Sequence, residues 1–223
     1  MKPYKPVQRY PRTDLAKIVT THLQADWRRP IAAHSIAAFD TIRDRIEAST
    51  QPLIIDSCCG TGESTRHLAG AFPDSLVLGV DKSAHRLARH RMGEQGDYLV
   101  LRADVNDFWR LAVDAGWRPA RHYLLYPNPY PKASQIRKRW YASPAFRALL
   151  GLGGILTVRA NWKLYVEEFA HALDVAGFAA TLQELAVELP ITGFERKYLE
   201  RGNALFEVAC DLEIGRDGSG KLR

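Results

Sequence analysis

Leu53-Ile54-Ile55-Asp56-Ser57-Cys58-Cys59-Gly60-Thr61-Gly62 reads as a buried strand running straight into a glycine turn. The apolar run predicts a strand over 53–56. Gly60 and Gly62 let the backbone turn tightly, and a helix starting near Glu63 points its free amides back at that turn. A second stretch has the same grammar: the apolar run Tyr123-Leu124-Leu125 leads into Tyr126-Pro127-Asn128-Pro129-Tyr130-Pro131-Lys132, a stiff loop spaced by prolines. Loops at the carboxyl ends of neighbouring parallel strands face one crevice, where ligands bind in open α/β sheets. Two such loops predict one site, with a nucleotide-type cofactor beside a planar substrate.

Further strands are predicted over 76–81, 98–103, 122–126 and 155–160, each followed by a helical segment. Upstream, Ile36, Phe39, Ile42 and Ile46 recur at helical spacing, predicting an amphipathic helix over 35–47. Such alternation argues for a parallel sheet with helices on both faces. The chain ends differently, with strands over 181–189 and 204–212 and no long helix between them, which predicts an antiparallel pair at the sheet edge. The expected fold is α/β: a mostly parallel, seven-stranded Rossmann-like sheet with an antiparallel last strand, the layout of class I methyltransferases. Residues 1–30 are read as a basic amino-terminal arm, extended through Pro11, residues 31–214 as one domain, and residues 215–223 as a flexible tail.

A chain of 223 residues, 46% hydrophobic, is long enough for one substantial core. It has no run of about 18 apolar residues to span a membrane and no apolar core of a secretory signal near Met1, so a cytoplasmic location is expected. Cys58, Cys59 and Cys210 have neither the C-x-x-C spacing of zinc sites nor the even framework of disulfides. Neither a metal nor a membrane partner is expected. A net charge of +6 and a pI near 9.3 favour a polyanion. The cations cluster: Lys2, Lys5, Arg9 and Arg12; Lys82, Arg86, Arg89 and Arg91; Arg137, Lys138 and Arg139. Such clusters suit a phosphate backbone, although solvated helix faces have the same composition.

The glycine turn lacks the third glycine of G-x-G-x-x-G, since Thr65 stands there, and no P-loop lysine follows, which lowers dinucleotides and nucleoside triphosphates as ligands. Asp56 at the mouth of the turn attracts a cationic sulfonium and amino group but repels a pyrophosphate. Asp81 ends the second strand 25 residues later, near the spacing of about 20 for an acid that accepts from ribose hydroxyls. Asp104 ends the third strand, within reach of an adenine. These electrostatics favour S-adenosyl-L-methionine, with Asp56, Cys58, Gly60, Gly62, Asp81, Lys82, Asp104 and Asn128 as the candidate contacts. The same acids also serve as helix and turn caps.

With these residues in hand, the chain resembles the bacterial tRNA (guanine-N7) methyltransferases. The likeness rests on Tyr126-Pro127-Asn128-Pro129-Tyr130-Pro131-Lys132 with Arg137-Lys138-Arg139 after it, and on Thr192-Gly193-Phe194-Glu195. It implies methyl transfer from S-adenosylmethionine to N7 of guanine in tRNA or another structured RNA, by a monomer or homodimer. It also implies a substrate site that includes Lys132, Asn161, Thr192, Phe194 and Glu195, with Asn128 at the catalytic position. Three positions depart from the family pattern: Cys58 replaces a glycine, and Asn128 and Asn161 replace aspartates. Guanine N7 carries a lone pair in the neutral base, so its methylation needs no proton removed first. An asparagine, however, reads guanine N1 and N2 less well than a carboxylate does.

Asn128-Pro129-Tyr130 also partly resembles the loop of amino methyltransferases, which leaves an exocyclic base amine or a small molecule as the alternative target. A relative that binds cofactor or RNA without catalysis is a third reading. Trp140 and Trp162 are weighed as core residues or as base-stacking residues, and Cys58, without a paired histidine, is not expected to be a nucleophile.

Overall fold

A computed structural model describes residues 8–90 and 97–214. Lys2, Lys5, Arg91 and the expected tail lie outside the described residues. The elements run α1 (Leu15–Gln24), α2 (Ala33–Ala48), β1 (Leu53–Ser57), α3 (Glu63–Ala71), β2 (Leu76–Asp81), α4 (Ala84–Leu87), β3 (Asp97–Arg102), α5 (Val105–Asp114) and β4 (Arg121–Leu125). Two 3₁₀ turns follow, Ala133–Lys138 and Trp140–Ala142. The chain continues through α6 (Phe146–Gly151), β5 (Ile155–Ala160), α7 (Lys163–Val175), β6 (Ala180–Glu184), α8 (Gly193–Leu199) and β7 (Phe206–Asp211).

The seven strands form one sheet in the order β3-β2-β1-β4-β5-β7-β6. β1 pairs in parallel with both β2 and β4, and β7 pairs antiparallel with β5 and β6. This is the expected α/β fold. The order reverses between β1 and β4, where Asp56 lies opposite Tyr123 and Ser57 opposite Leu124. The glycine turn and the proline loop therefore leave the sheet side by side, at the position where open α/β sheets bind ligands.

The residues of β1 and β2 are buried throughout, as strands covered on both faces require. One face packs α2, α5 and α7 through Phe39, Phe108, Trp109 and Phe169, joined in one cluster by Trp117 from the segment after α5. Phe39 and Trp117 stack with ring centroids 4.5 Å apart. A smaller cluster around Ile54, Leu68, Val77 and Tyr123 covers the opposite face.

Two expectations differ in extent from what the structure contains. Residues 15–24 of the expected arm form α1, whose Leu15 and Val19 are buried in the same cluster as Phe169. Leu15, Ile18 and Val19 carry the helical spacing that produces this packing. The strand expected over 181–189 ends at Glu184. Leu185 N still donates to Leu205 O at 2.8 Å, after which the chain departs toward Pro190 and Leu189 is 73% exposed.

Candidate functional site

A cavity of about 800 Å³ opens at the carboxyl ends of β1 and β4. One wall comes from the glycine turn and the end of β2: Cys58, Gly60, Lys82 and Arg86. Another comes from the proline loop and the exit of β5: Tyr126, Asn128, Tyr130 and Asn161. Thr192, Phe194 and Lys197 of the α8 region complete it. Thus seven of the residues singled out in the sequence, Cys58, Gly60, Lys82, Asn128, Asn161, Thr192 and Phe194, meet in one cavity.

Among the described residues, the non-glycine residues at positive φ are Cys58 (64°), Tyr126 (51°) and Tyr130 (43°), and all three line this cavity. Such conformations cost about 1–3 kcal/mol each and persist where the surrounding structure over-determines them. At Tyr126 the cause is visible: its N–H donates to Arg159 O at 2.8 Å and its hydroxyl donates to Glu195 at 3.0 Å. The left-handed backbone turns the ring back over the cavity while both ends stay bonded.

Gly60 (φ 63°) has open space where a Cβ would stand, whereas at Gly62 (φ 73°) a Cβ would lie 2.5 Å from His90 Nδ1. Gly62 is buried and does not line the cavity. It caps α3 while His90 Nδ1 bonds Thr61 O at 2.8 Å. Gly60 is the glycine whose backbone a ligand can approach closely.

The acids sit behind the cavity surface. Asp56 is fully buried; Ser64 Oγ and Thr65 Oγ1 donate to its Oδ2 at 2.6 and 2.7 Å, and its Oδ1 has no partner. Burial pushes its pKa up to about 6, against the lowering effect of the two hydroxyls. Asp81 is 1% exposed. It accepts from Gly60 N at 3.0 Å, from Ser83 N at 2.7 Å and from Arg86 Nη2 at 2.9 Å. Asp104 caps α5 by accepting from Asn106 N at 2.9 Å. Asp56, Asp81 and Asp104 therefore shape the turn and helix ends rather than line the cavity.

The expected substrate residues divide in the same way. Lys132 is exposed and outside the cavity lining. Glu195 is fully buried: Tyr126 Oη and Arg159 Nη1 donate to its Oε1 at 3.0 and 2.9 Å, and Ile191 N donates to its Oε2 at 2.7 Å. Its carboxylate latches α8 to β5 and to the proline loop. Arg137 and Lys138 are exposed, whereas Arg139 is fully buried, which corrects its assignment to a phosphate-holding cluster. Its guanidinium lies 5.0 Å from the centroid of Trp162. Trp140 lines the cavity and packs against Trp109 at 4.7 Å.

Cys58 is half-buried on the cavity wall. Burial and the nearby Asp81 carboxylate push its thiol up to about 12, so it is protonated and no thiolate nucleophile. Arg86, Arg89 and Lys197 line the cavity although no motif named them as its residues. Arg86 and Arg89 belong to a legible charge cluster, while Lys197 was signalled only by its position two residues after Glu195. Among the described residues, no group of three or more His, Cys, Asp or Glu side chains is placed to hold a metal ion, and no helix is long and apolar enough to cross a membrane.

A mixed sheet of this order, with a glycine turn after β1 and a proline loop after β4 sharing one cavity, defines a class I methyltransferase architecture. Residues 50–208 match the model of a family described as "Putative methyltransferase", and the chain belongs to that family. A protein of Leifsonia xyli subsp. xyli (strain CTCB07) named tRNA (guanine-N(7)-)-methyltransferase is 28% identical over 179 residues, covering 74% of this chain and 78% of its own length. One of the same name from Ectopseudomonas mendocina (strain ymp) is 29% identical over 198 residues, covering 78% and 76%. Among solved structures, the 16S rRNA methyltransferase KamB superposes with a TM-score of 0.55 at 17% identity, covering 82% of this chain and 95% of its own. The antibiotic-resistance methyltransferase Kmr gives 0.52 at 20% identity, covering 76% and 90%. At that identity the likeness concerns the fold.

Proposed function

We propose that the protein is an S-adenosylmethionine-dependent methyltransferase that modifies N7 of guanine in tRNA, the activity named for its sequence relatives. The observation that carries this reading is the shared cavity, in which Cys58 and Gly60 of the first loop meet Asn128 and Tyr130 of the second.

The cofactor fits the residues present. Gly60 leaves open space above a backbone amide anchored on Asp81, and the cavity volume falls in the range of about 300–1,000 Å³ usual for small-molecule sites. Gly60, Cys58 and Lys82 would hold it, with Asp56 and Asp81 fixing the turn from beneath. When bound, S-adenosylmethionine supplies an electrophilic methyl group on a sulfonium.

The protein's part is positioning. Guanine N7 presents its own lone pair, so no general base is required. Asn128 Oδ1 accepts from Tyr130 N at 3.3 Å, within the loop itself. Asn128 also carries an amide NH₂, a donor that suits guanine O6 beside N7, while Oδ1 keeps a second lone pair. Tyr130 and Trp140 offer aromatic surface to a base turned into the cavity. The exposed cations Lys82, Arg89, Lys132, Arg137 and Lys138 are available to phosphates.

The test is nucleoside mass spectrometry of unmodified tRNA incubated with the protein and methyl-labelled S-adenosylmethionine. Labelled 7-methylguanosine supports the proposal. Label on an adenine, cytosine or guanine amine replaces it with the alternative.

A further inference from the structure

Arg139 belongs to the most basic run of the chain, yet its side chain is spent inside the fold. Nη1 donates to Glu168 Oε2 at 2.6 Å, and Nε and Nη2 both donate to the carbonyl of Tyr130, at 3.2 and 3.1 Å. Glu168, on α7, is also fully buried. Its Oε1 accepts from Gln8 Nε2 at 2.7 Å and from Arg12 N at 2.9 Å, and its Oε2 accepts from Tyr141 Oη at 2.6 Å as well as from Arg139. Each carboxylate oxygen thus takes two donors, the saturation that a buried ion pair needs.

The loop supplies the reason for such a construction. Three prolines in 126–132 remove the amides by which a strand or helix would hold this segment, so its carbonyls are the available handles. Two successive ones are gripped: Tyr130 O by the Arg139 fork, and Pro131 O by Gln8 N at 3.2 Å. Gripping the carbonyl of Tyr130 restrains ψ at a residue whose φ is 43°, next to the bond from Tyr130 N to Asn128. Both of those side chains line the cavity.

We propose that Arg139, Glu168 and Gln8 are positioning residues, which strap the amino-terminal segment across the proline loop and hold Tyr130 and Asn128 in their reactive arrangement. Arg139 thereby acts through the loop and not on RNA phosphate. The inference rests on the methyltransferase reading for its effect on rate, and on geometry alone for its effect on the loop.

Two variants of the full chain test it. Arg139→Lys keeps a cation opposite Glu168 but loses the fork on Tyr130 O. Arg139→Met combined with Glu168→Leu replaces the ion pair by apolar side chains and abolishes the grip, while Gln8 Nε2, Arg12 N and Tyr141 Oη lose their acceptor. In both, hydrogen exchange at the amides of Tyr126, Tyr130 and Lys132 rises about tenfold or more while β1 and β2 stay protected. S-adenosylmethionine affinity stays within about twofold, and single-turnover methyl transfer to unmodified tRNA falls about 10- to 100-fold, the scale of a misplaced reacting group. The salt dependence of tRNA binding by the double variant keeps the wild-type slope. A slope lower by about one, as loss of a phosphate contact gives, overturns the inference, as does unchanged exchange in the loop. If the wild-type protein transfers no methyl to tRNA, the functional reading fails while the exchange measurement still decides the role of the strap.

Discussion

Arg86 donates through Nη2 to Oδ1 of Asp81 at 2.9 Å, so the carboxylate that the sequence assigns to ribose hydroxyls already holds a cation. Arg86 is itself part of the cavity wall, 39% exposed, while Asp81 is 1% exposed. A ribose reaching Asp81 competes with this guanidinium at Oδ1, and a positive charge beside the cavity also opposes a sulfonium ligand. Arg86→Ala is therefore expected to tighten S-adenosylmethionine binding, by about three- to tenfold for a partly exposed pair worth about 1 kcal/mol. Titration calorimetry reads this directly. Weaker binding would make Arg86 a ligand contact instead of a competitor.

Asp56 carries a linkage prediction. Its folded pKa of about 6 lies above the ordinary 3.8, so the folded protein binds the extra proton between those values. Stability from this group is greatest below about pH 4 and declines as pH rises through 6, by an amount on the order of 3 kcal/mol. Asp56→Asn removes the buried charge and keeps an oxygen for Ser64 and Thr65. The stability difference, variant minus wild type, should move in favour of the variant between pH 4 and pH 6.5 in urea titrations. A difference independent of pH would mean that Asp56 titrates normally.

Glu195 is expected to be a structural latch. Replacing it with Ala leaves the Tyr126 hydroxyl and Ile191 N without their acceptor and removes one of the two carboxylates paired with Arg159. Breaking a buried pair costs about 3–5 kcal/mol, which for a chain of this size lowers the melting temperature by about 10 °C. Because α8 carries Phe194 to the cavity, cofactor binding and methyl transfer should both fall. Loss of transfer at an unchanged melting temperature would return Glu195 to the substrate site.

What the sequence made legible follows from the range of the interactions concerned. The parallel strands are apolar runs closed by a polar residue such as Asp56, Asp81 or Asn161 or by the proline loop, and local signals of that kind located β1 to β5 within a residue or two. The cavity residues Gly60, Asn128 and Asn161 were legible because each lies on a loop directly after a strand. Arg139 and Glu195 were misleading for a common reason: their partners Glu168 and Arg159 stand 29 and 36 residues away. Charge read along the chain cannot distinguish a solvated cation from one matched across the fold. The helix α1 was obscured by the cations around it, although Leu15, Ile18 and Val19 hold its spacing.

Cys58 yields a prediction about reactivity that follows from its place in the turn. It stands at φ 64°, where the resembling family has glycine, with its thiol half-buried on the cavity wall. Burial and the Asp81 carboxylate raise the thiol to about 12 from an ordinary 9.0, which leaves about a thousandfold less thiolate at pH 8 than an unperturbed cysteine holds. Iodoacetamide at that pH should label Cys58 more slowly than a free thiol by a comparable factor, and the rate should climb with pH up to about 12. Buried Cys59, whose thiol is raised by burial and by Asp56, should stay equally inert. Peptide mass spectrometry after timed alkylation separates the two. Labelling of Cys58 within tenfold of free cysteine would mean a thiolate at the cavity wall, and would reopen a nucleophilic role for the side chain that stands in the glycine's place.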